Sequence, residues 1–287
     1  MSVSGTGTQA DPYVVTTWAE LVAKAAESDK YVKVANNINV IAEYPDGDAP
    51  TLVLNSNVDG DNKTINEWYC TGSRYMISTN NTLHYIKNCI FTNIKTTYHL
   101  VSIQVPYGQD SFVVVNNCKF AGVMGDGYIF SPNVNRDSRN GTIQNVVINI
   151  KGNDLKLLYI GTGNDYPHFY NFNVKLTTDA SLLVYSYYSG RYIYFNDSYM
   201  EIDGHNINMY LSGESSKKVL FDNSVVDIKT NETLYFDSGN SLVSIFNSTH
   251  APSAYGVTGK VIGVDDTHWL DADYLANTVG FNIVTGE

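Results

Sequence analysis

The clearest pattern in this chain lies between Arg191 and Gly239, where one arrangement of apolar and polar positions occurs twice. The copies read RYIYFNDSYMEIDGHNINMYLSG and KKVLFDNSVVDIKTNETLYFDSG. Each has an apolar run, an Asn, a second apolar alternation, a polar turn and a third short strand ending in Ser-Gly. A repeat of this length, made of short strands and turns, predicts a solenoid.

Aligned on the Asn, the arrangement extends to Asn88, Asn117, Asn145, Asn171, Asn196, Asn223 and Asn247, spaced 24 to 29 residues apart. Two places before stand Ile86, Val115, Ile143, Phe169, Tyr194, Phe221 and Ile245; three places after stand Phe91, Phe120, Ile148, Val174, Tyr199, Val226 and His250. All of these except His250 are apolar or aromatic. Residues two apart on a strand share a face, so the odd offset across the Asn implies a corner joining two strands. An interior lined this consistently predicts one coil of a parallel β-helix per repeat, with like positions stacked about 4.8 Å apart.

A third strand carries its own column, Tyr159, Tyr185, Tyr210 and Tyr235, extended back through Ile129 and Ser102. Leu158, Val184, Met209 and Leu234 precede the tyrosines, and if these point inward the tyrosines point outward. At the N-terminal end, Thr17-Trp18-Ala19-Glu20 is a capping-box pattern, with Trp18, Leu21, Val22 and Ala25 on one helical face. A helix of about ten residues there would cover the open end of a coil. Residues 31–41 and 51–58 read as first, less regular coils. Residues 265–287 break the repeat and predict a short helix from Asp266 or Thr267 to Gly280, then a last strand, as a closing cap or attachment segment. The boundaries are 1–30 for the lead-in and helix, 31–264 for the coils and 265–287 for the closing segment.

Composition agrees with stacking. Only 16% of the 287 residues are charged, against about 25% in an average domain, and Asn, Ser, Thr and 22 Tyr take their place. Identical charges piled on successive coils would repel. A net charge of −11 argues against nucleic acid and against an anionic membrane surface as partners. No apolar run approaches a membrane span, and the start lacks the pattern of a secretory signal. Cys89 and Cys118 share a column and are expected as touching, buried thiols.

The candidate chemistry is sparse. The turns contain Asp126, Asp154, Asp179 and Asp203, either turn formers beside glycines or a cation site of stacked carboxylates. Asp59-Gly60-Asp61 lacks the glycine and ligand spacing of a calcium loop. A pectate-lyase type of reaction needs clustered carboxylates and basic residues in a groove, whereas Arg occurs only at Arg74, Arg136, Arg139 and Arg191. Glycoside hydrolysis needs two carboxyls about 5–9.5 Å apart, for which neighbouring coils offer Asp197 with Asp222 or Glu201 with Asp227. The six histidines show no metal-binding spacing. Tyr159, Tyr185, Tyr187, Tyr188, Tyr210 and Tyr235 concentrate aromatic area, suited to a self-stacking column, a subunit interface or contact with sugar rings.

The opening G-T-G-T-x-x-D-P-Y-x-V-T-T-W-x-E-L, Gly5 to Leu21, resembles the start of many β-helix proteins encoded by bacteriophages and bacteria of the gut. The closing D-A-D-Y-L-A-N-T-V-G-F-N-I, Asp271 to Ile283, is similar to the ending of phage virion proteins of that group. The resemblance implies a tail spike, a tail or head fibre, or a capsid decoration, often trimeric. The expectation is therefore an all-β, right-handed single-stranded parallel β-helix, a pectate-lyase-like solenoid with a short N-terminal capping helix. Its expected role is a non-enzymatic virion component, made in a bacterial host's cytoplasm. Expected partners are other virion proteins, further copies in a homotrimer, and host-surface glycan; no cofactor is expected. The alternatives are a polysaccharide depolymerase acting through a carboxylate pair and a bacterial surface adhesin.

Overall fold

The structure is a computed structural model that describes residues 3–72, 75–79, 84–105, 112–134, 141–160, 168–178 and, beyond these, the strands at 182–186, 192–196, 199–204, 208–211, 218–222, 225–230, 235–237 and 256–257. Beyond Thr178 the description is of strands and their register. The closing segment at 265–287 lies outside the described residues.

The chain forms a parallel β-helix whose coils have three faces. On the first, Tyr13–Val15 pairs with Tyr31–Val34, and the ladder continues through 57–59, 86–87, Phe112–Asn116, 141–144, 168–170, Tyr192–Asn196 and Lys218–Asp222. On the second, Ile38–Asn39 is followed by 63–66, 89–96, 119–124, 147–152, 173–178, Tyr199–Gly204 and Val225–Thr230. On the third, Leu52–Leu54 is followed by Ile77–Thr79, Val101–Val105, 130–134, 158–160, Leu182–Ser186, Asn208–Leu211, Tyr235–Asp237 and Gly256–Val257. Every one of these ladders is parallel, and in strands such as Tyr31–Val34 and Leu52–Leu54 buried and more open positions alternate.

The corner between the first and second faces is made by the Asn column. Asn88, Asn117, Asn145 and Asn171 have φ of 55°, 50°, 53° and 46°. Most side chains clash with the backbone in this left-handed region, whereas Asn tolerates it through local polar contacts. The amides also bond to one another along the axis. Asn117 Nδ2 donates to Asn88 Oδ1 at 2.8 Å, Asn145 Nδ2 to Asn116 Oδ1 at 3.0 Å and Asn171 Nδ2 to Asn145 Oδ1 at 3.0 Å. Asn88 Nδ2 in turn donates to Asp59 Oδ1 at 3.0 Å, where Lys87 Nζ lies 3.2 Å from Oδ2. One residue type thus serves both the turn and the stack.

The inward columns are Ile86, Val115, Ile143 and Phe169 on the first face, and Phe91, Phe120, Ile148 and Val174 on the second, all essentially inaccessible. Further along, the expected alignment slips by one residue. Phe169 pairs with Phe195 and Phe195 with Phe221, while Tyr194 pairs with His168. Likewise Val174 pairs with Met200 and Met200 with Val226, leaving Tyr199 opposite Asn173. Asn196 falls opposite Tyr170, one place before the Asn171 position. The stretch YIYFN is apolar at every position before its Asn, so alternation alone leaves its register open. Backbone pairing with the preceding coil decides it. Asn223 and Asn247 lie outside the described residues.

Aromatic rings form the spine of the interior. Trp18 and Trp68 have ring centroids 4.3 Å apart, Trp68 and Phe91 5.8 Å, Phe91 and Phe120 5.0 Å in a stacked pair, and Phe130 and Phe172 5.7 Å. Full burial of such a ring contributes about 1.5–3 kcal/mol.

The helix Trp18–Ala25 buries Trp18, Leu21 and Ala25 and packs on 31–34 and 52–54. Thr17 Oγ1 accepts from Glu20 N at 3.2 Å, as the sequence predicts. The Glu20 carboxylate reaches one residue further back, accepting from Thr16 N at 2.8 Å, and this bond holds its pKa below the usual range. The remaining free N–H groups belong to Trp18 and Ala19, and both donate to the Glu43 carboxylate at 2.7 and 3.0 Å. A carboxylate at a helix N-terminus meets the positive end of its dipole. Glu43 is too distant in sequence for any local capping pattern to reveal it.

Cys89 and Cys118 are buried free thiols in the same column. The neighbouring Cys118 thiol, together with burial, raises the Cys89 pKa well above the usual thiol range. Gly60 sits beneath them because a Cβ there would lie 2.4 Å from Cys89 Sγ and 2.5 Å from Asn88 O. The Asp59-Gly60-Asp61 segment is therefore a packed corner, with Asp61 N donating to Asp59 Oδ1 at 2.9 Å.

Candidate functional site

The corner between the second and third faces is chemically richer. Residues 96–99 and 124–128 carry the chain around it, and aromatic side chains from successive coils gather there. Tyr98 and His99 have centroids 3.7 Å apart, Tyr75 and His99 5.1 Å, His99 and Tyr128 5.0 Å, and Tyr128 and Tyr159 4.8 Å. Lys156 Nζ lies 5.4 Å from the centre of the Tyr128 ring, a cation–π contact. His99 is buried, whereas Tyr75, Tyr98, Tyr128 and Tyr159 are half-buried and present part of each ring to solvent.

Backbone constraints hold this row together. Tyr128 N donates to His99 Nδ1 at 2.9 Å. An accepting Nδ1 places the proton of the neutral ring on Nε2. Gly127, with φ of 146°, lets the chain approach closely: a Cβ there would lie 2.7 Å from Tyr98 O. Tyr128 is thereby drawn over the preceding coil's His99.

Tyr159 is in register with Tyr185, and Tyr185 with Tyr210, so this part of the expected tyrosine column stands. Tyr235 does not belong to it. It pairs with Asn208, and Asp237 takes the place opposite Tyr210. Ile129 is also displaced: Ser102 pairs with Ser131, and Ile129 is buried in the core. Tyr187 and Tyr188 lie outside the described residues. Tyr75, Tyr98, His99 and Tyr128 were not foreseen, because they precede the clear repeats and occupy a corner rather than a strand column. Their signal was a recurring aromatic at one place per coil.

The carboxylate candidates separate on register. Glu201 pairs directly with Asp227. Asp222 pairs with Asn196, one place before Asp197, which itself lies outside the described residues. Asp126 pairs with Asp154, but Asp203 pairs with Thr177 and Lys229, three places out of step with Asp154 once Thr178 is matched to Gly152 and Gly204. The four turn aspartates therefore do not form one column; Asp179 lies outside the described residues. Among the described residues, no group of three or more His, Cys, Asp or Glu is placed to hold a metal ion. No helix among them is long and apolar enough to cross a membrane.

The class defined by this fold and surface is a parallel β-helix with an aromatic row along one outer corner. No family model, no curated protein and no solved structure matches the chain.

Proposed function

We propose that this chain is a non-enzymatic structural component of a bacteriophage virion, of the fibre, spike or capsid-decoration kind. It acts as a stiff rod that holds one side toward a partner: another virion protein, further copies of itself in a homotrimer, or a host-surface glycan. The observation that carries the reading is the row Tyr75–His99–Tyr128–Tyr159, pinned at its centre by the bond from Tyr128 N to the buried His99, with its three tyrosines half-open to solvent. Rigid, amphipathic rings supply contact area at small entropic cost. The resemblance of Gly5–Leu21 and Asp271–Ile283 to phage-encoded β-helix proteins supports the virion setting.

Mass spectrometry of purified particles tests this reading. The chain should occur at a copy number that is a multiple of the symmetry at its attachment point. Its presence on cells that carry no phage, and absence from particles, would favour a bacterial adhesin instead. A second reading, a polysaccharide depolymerase, draws on the direct pairing of Glu201 with Asp227. It requires release of reducing ends from capsule, abolished by Glu201→Gln or Asp227→Asn.

A further inference from the structure

One pair of phenol rings in the aromatic row is placed for chemistry as well as for contact. Tyr128 and Tyr159 come from successive coils and from different places in them, since Tyr128 is in register with Lys156 and Phe130 with Leu158. Their rings nevertheless converge, with centroids 4.8 Å apart and planes 47° from each other. Aromatic pairs meet at centroid separations of about 4.5–7 Å, so this pair stands near the close end. Tyr75 and Tyr98, by comparison, meet edge-on at 6.0 Å.

Both members are anchored through their backbones. Tyr128 N is bonded to His99 Nδ1 at 2.9 Å, and Gly127 before it passes too close to Tyr98 O for a side chain. Tyr159 lies in a ladder, with Leu158, Tyr159 and Ile160 paired to Val184, Tyr185 and Ser186. Both rings are half-buried, so each keeps part of its surface in solvent. Two groups held side by side in this way react as one molecule, without the entropic cost of finding each other.

We propose that Tyr128 and Tyr159 are a site of oxidative cross-linking, joined as a dityrosine that staples two successive coils at the aromatic corner. The oxidant is a one-electron acceptor of the activated-peroxide class. Each phenol gives up one electron and one proton and becomes a neutral phenoxyl radical. The Lys156 ammonium, 5.4 Å from the centre of the Tyr128 ring, disfavours a second positive charge there, so the proton leaves with the electron. The two radicals then pair, forming a C–C bond between ring carbons adjacent to the hydroxyls. The hydrogens on those carbons move to the oxygens, which restores both phenols. The two electrons and two protons released reduce one hydrogen peroxide to two waters. The new bond closes a loop of about one coil, which restricts the unfolded chain far more than the folded one, so the linked chain unfolds at higher urea.

The test treats the intact chain with a haem-bearing peptide and hydrogen peroxide, and maps the products by dityrosine fluorescence and peptide mass spectrometry. The principal link within the chain should join the peptides that contain Tyr128 and Tyr159. Its yield should not change when the protein is diluted about tenfold, because a pair held in place does not depend on chain concentration. Tyr128→Phe and Tyr159→Phe keep the rings and their packing, and each should remove that link; Tyr75→Phe should leave it intact. Links found only between chains, which weaken on dilution, would overturn the proposal. So would a principal link from Tyr159 to Tyr185, its neighbour in register. Failure of both phenols to react, or their oxidation without a bond between them, would do the same. Mapping the link in the unaltered protein does not depend on any variant folding, and either result leaves the virion reading standing.

Discussion

The two described corners of the coil solve the same geometrical problem in opposite ways. Between the first and second faces, one residue type recurs with nearly constant φ, and its amides hydrogen-bond from coil to coil. Between the second and third faces, the turn is built from Thr97, Tyr98, His99, Gly125, Gly127 and Tyr128, and the coils meet through rings of differing type and tilt. The first corner keeps the coils in step, because an αL position and a stacked amide leave little room for substitution. The second, freed from that task, can carry exposed chemistry. Regularity at one corner permits variety at the other.

Substitution at Asn117 breaks the comparison hardest. Asn117→Ala puts an alanine at a φ of 50° and removes the bond to Asn88, at a combined cost of about 2–3 kcal/mol. Asn117→Gly keeps the backbone conformation and loses only the amide, at about 1 kcal/mol. Urea denaturation of the two variants separates the turn from the stack. Equal losses would mean that φ is not what selects Asn.

The acidic end of the amide row gives a pH effect. Burial alone would raise the Asp59 pKa, but the Asn88 amide, the Asp61 N–H and Lys87 outweigh it, so the folded value lies below the ordinary one. A carboxylate depressed in this way stabilises the fold above its unfolded pKa of about 3.9, and that contribution is lost as the pH falls through the folded value. Melting temperatures measured between about pH 5 and pH 3 should therefore fall less for Asp59→Asn than for the unaltered chain. An identical decline would place the acid sensitivity elsewhere.

The smallest effect is expected at the second corner. Tyr128→Ser removes a half-buried ring that touches His99 and Tyr159, yet leaves the backbone bond from residue 128 to His99 in place. Its cost to stability should be about 1 kcal/mol or less, well under that of Asn117→Ala. Thermal melting of both variants under one condition checks the order. A larger loss at Tyr128 would make the aromatic row a structural element first.

Composition and period were enough to predict the parallel coil, the inward columns through Val174, the Asn corner, the capping helix and the paired thiols. Each follows from short-range alternation or from one residue type recurring at coil length. The slip at Tyr194 arose in Tyr192–Phe195, where consecutive residues are all apolar or aromatic and alternation fits two registers; those at Asn196 and Tyr199 go with it, because both positions were counted along from that run. There the ladder with the preceding coil is the deciding term.

By itself the chain therefore determined which kind of fold can satisfy its apolar positions, because burial at a fixed period admits few solutions. Only the tertiary structure decided which side chains become neighbours across coils: Glu43 on the helix N-terminus, Trp68 on Trp18, and Tyr128 over His99. Those contacts join residues about one coil or more apart. Their partners are selected by backbone register and corner geometry, which no local pattern encodes.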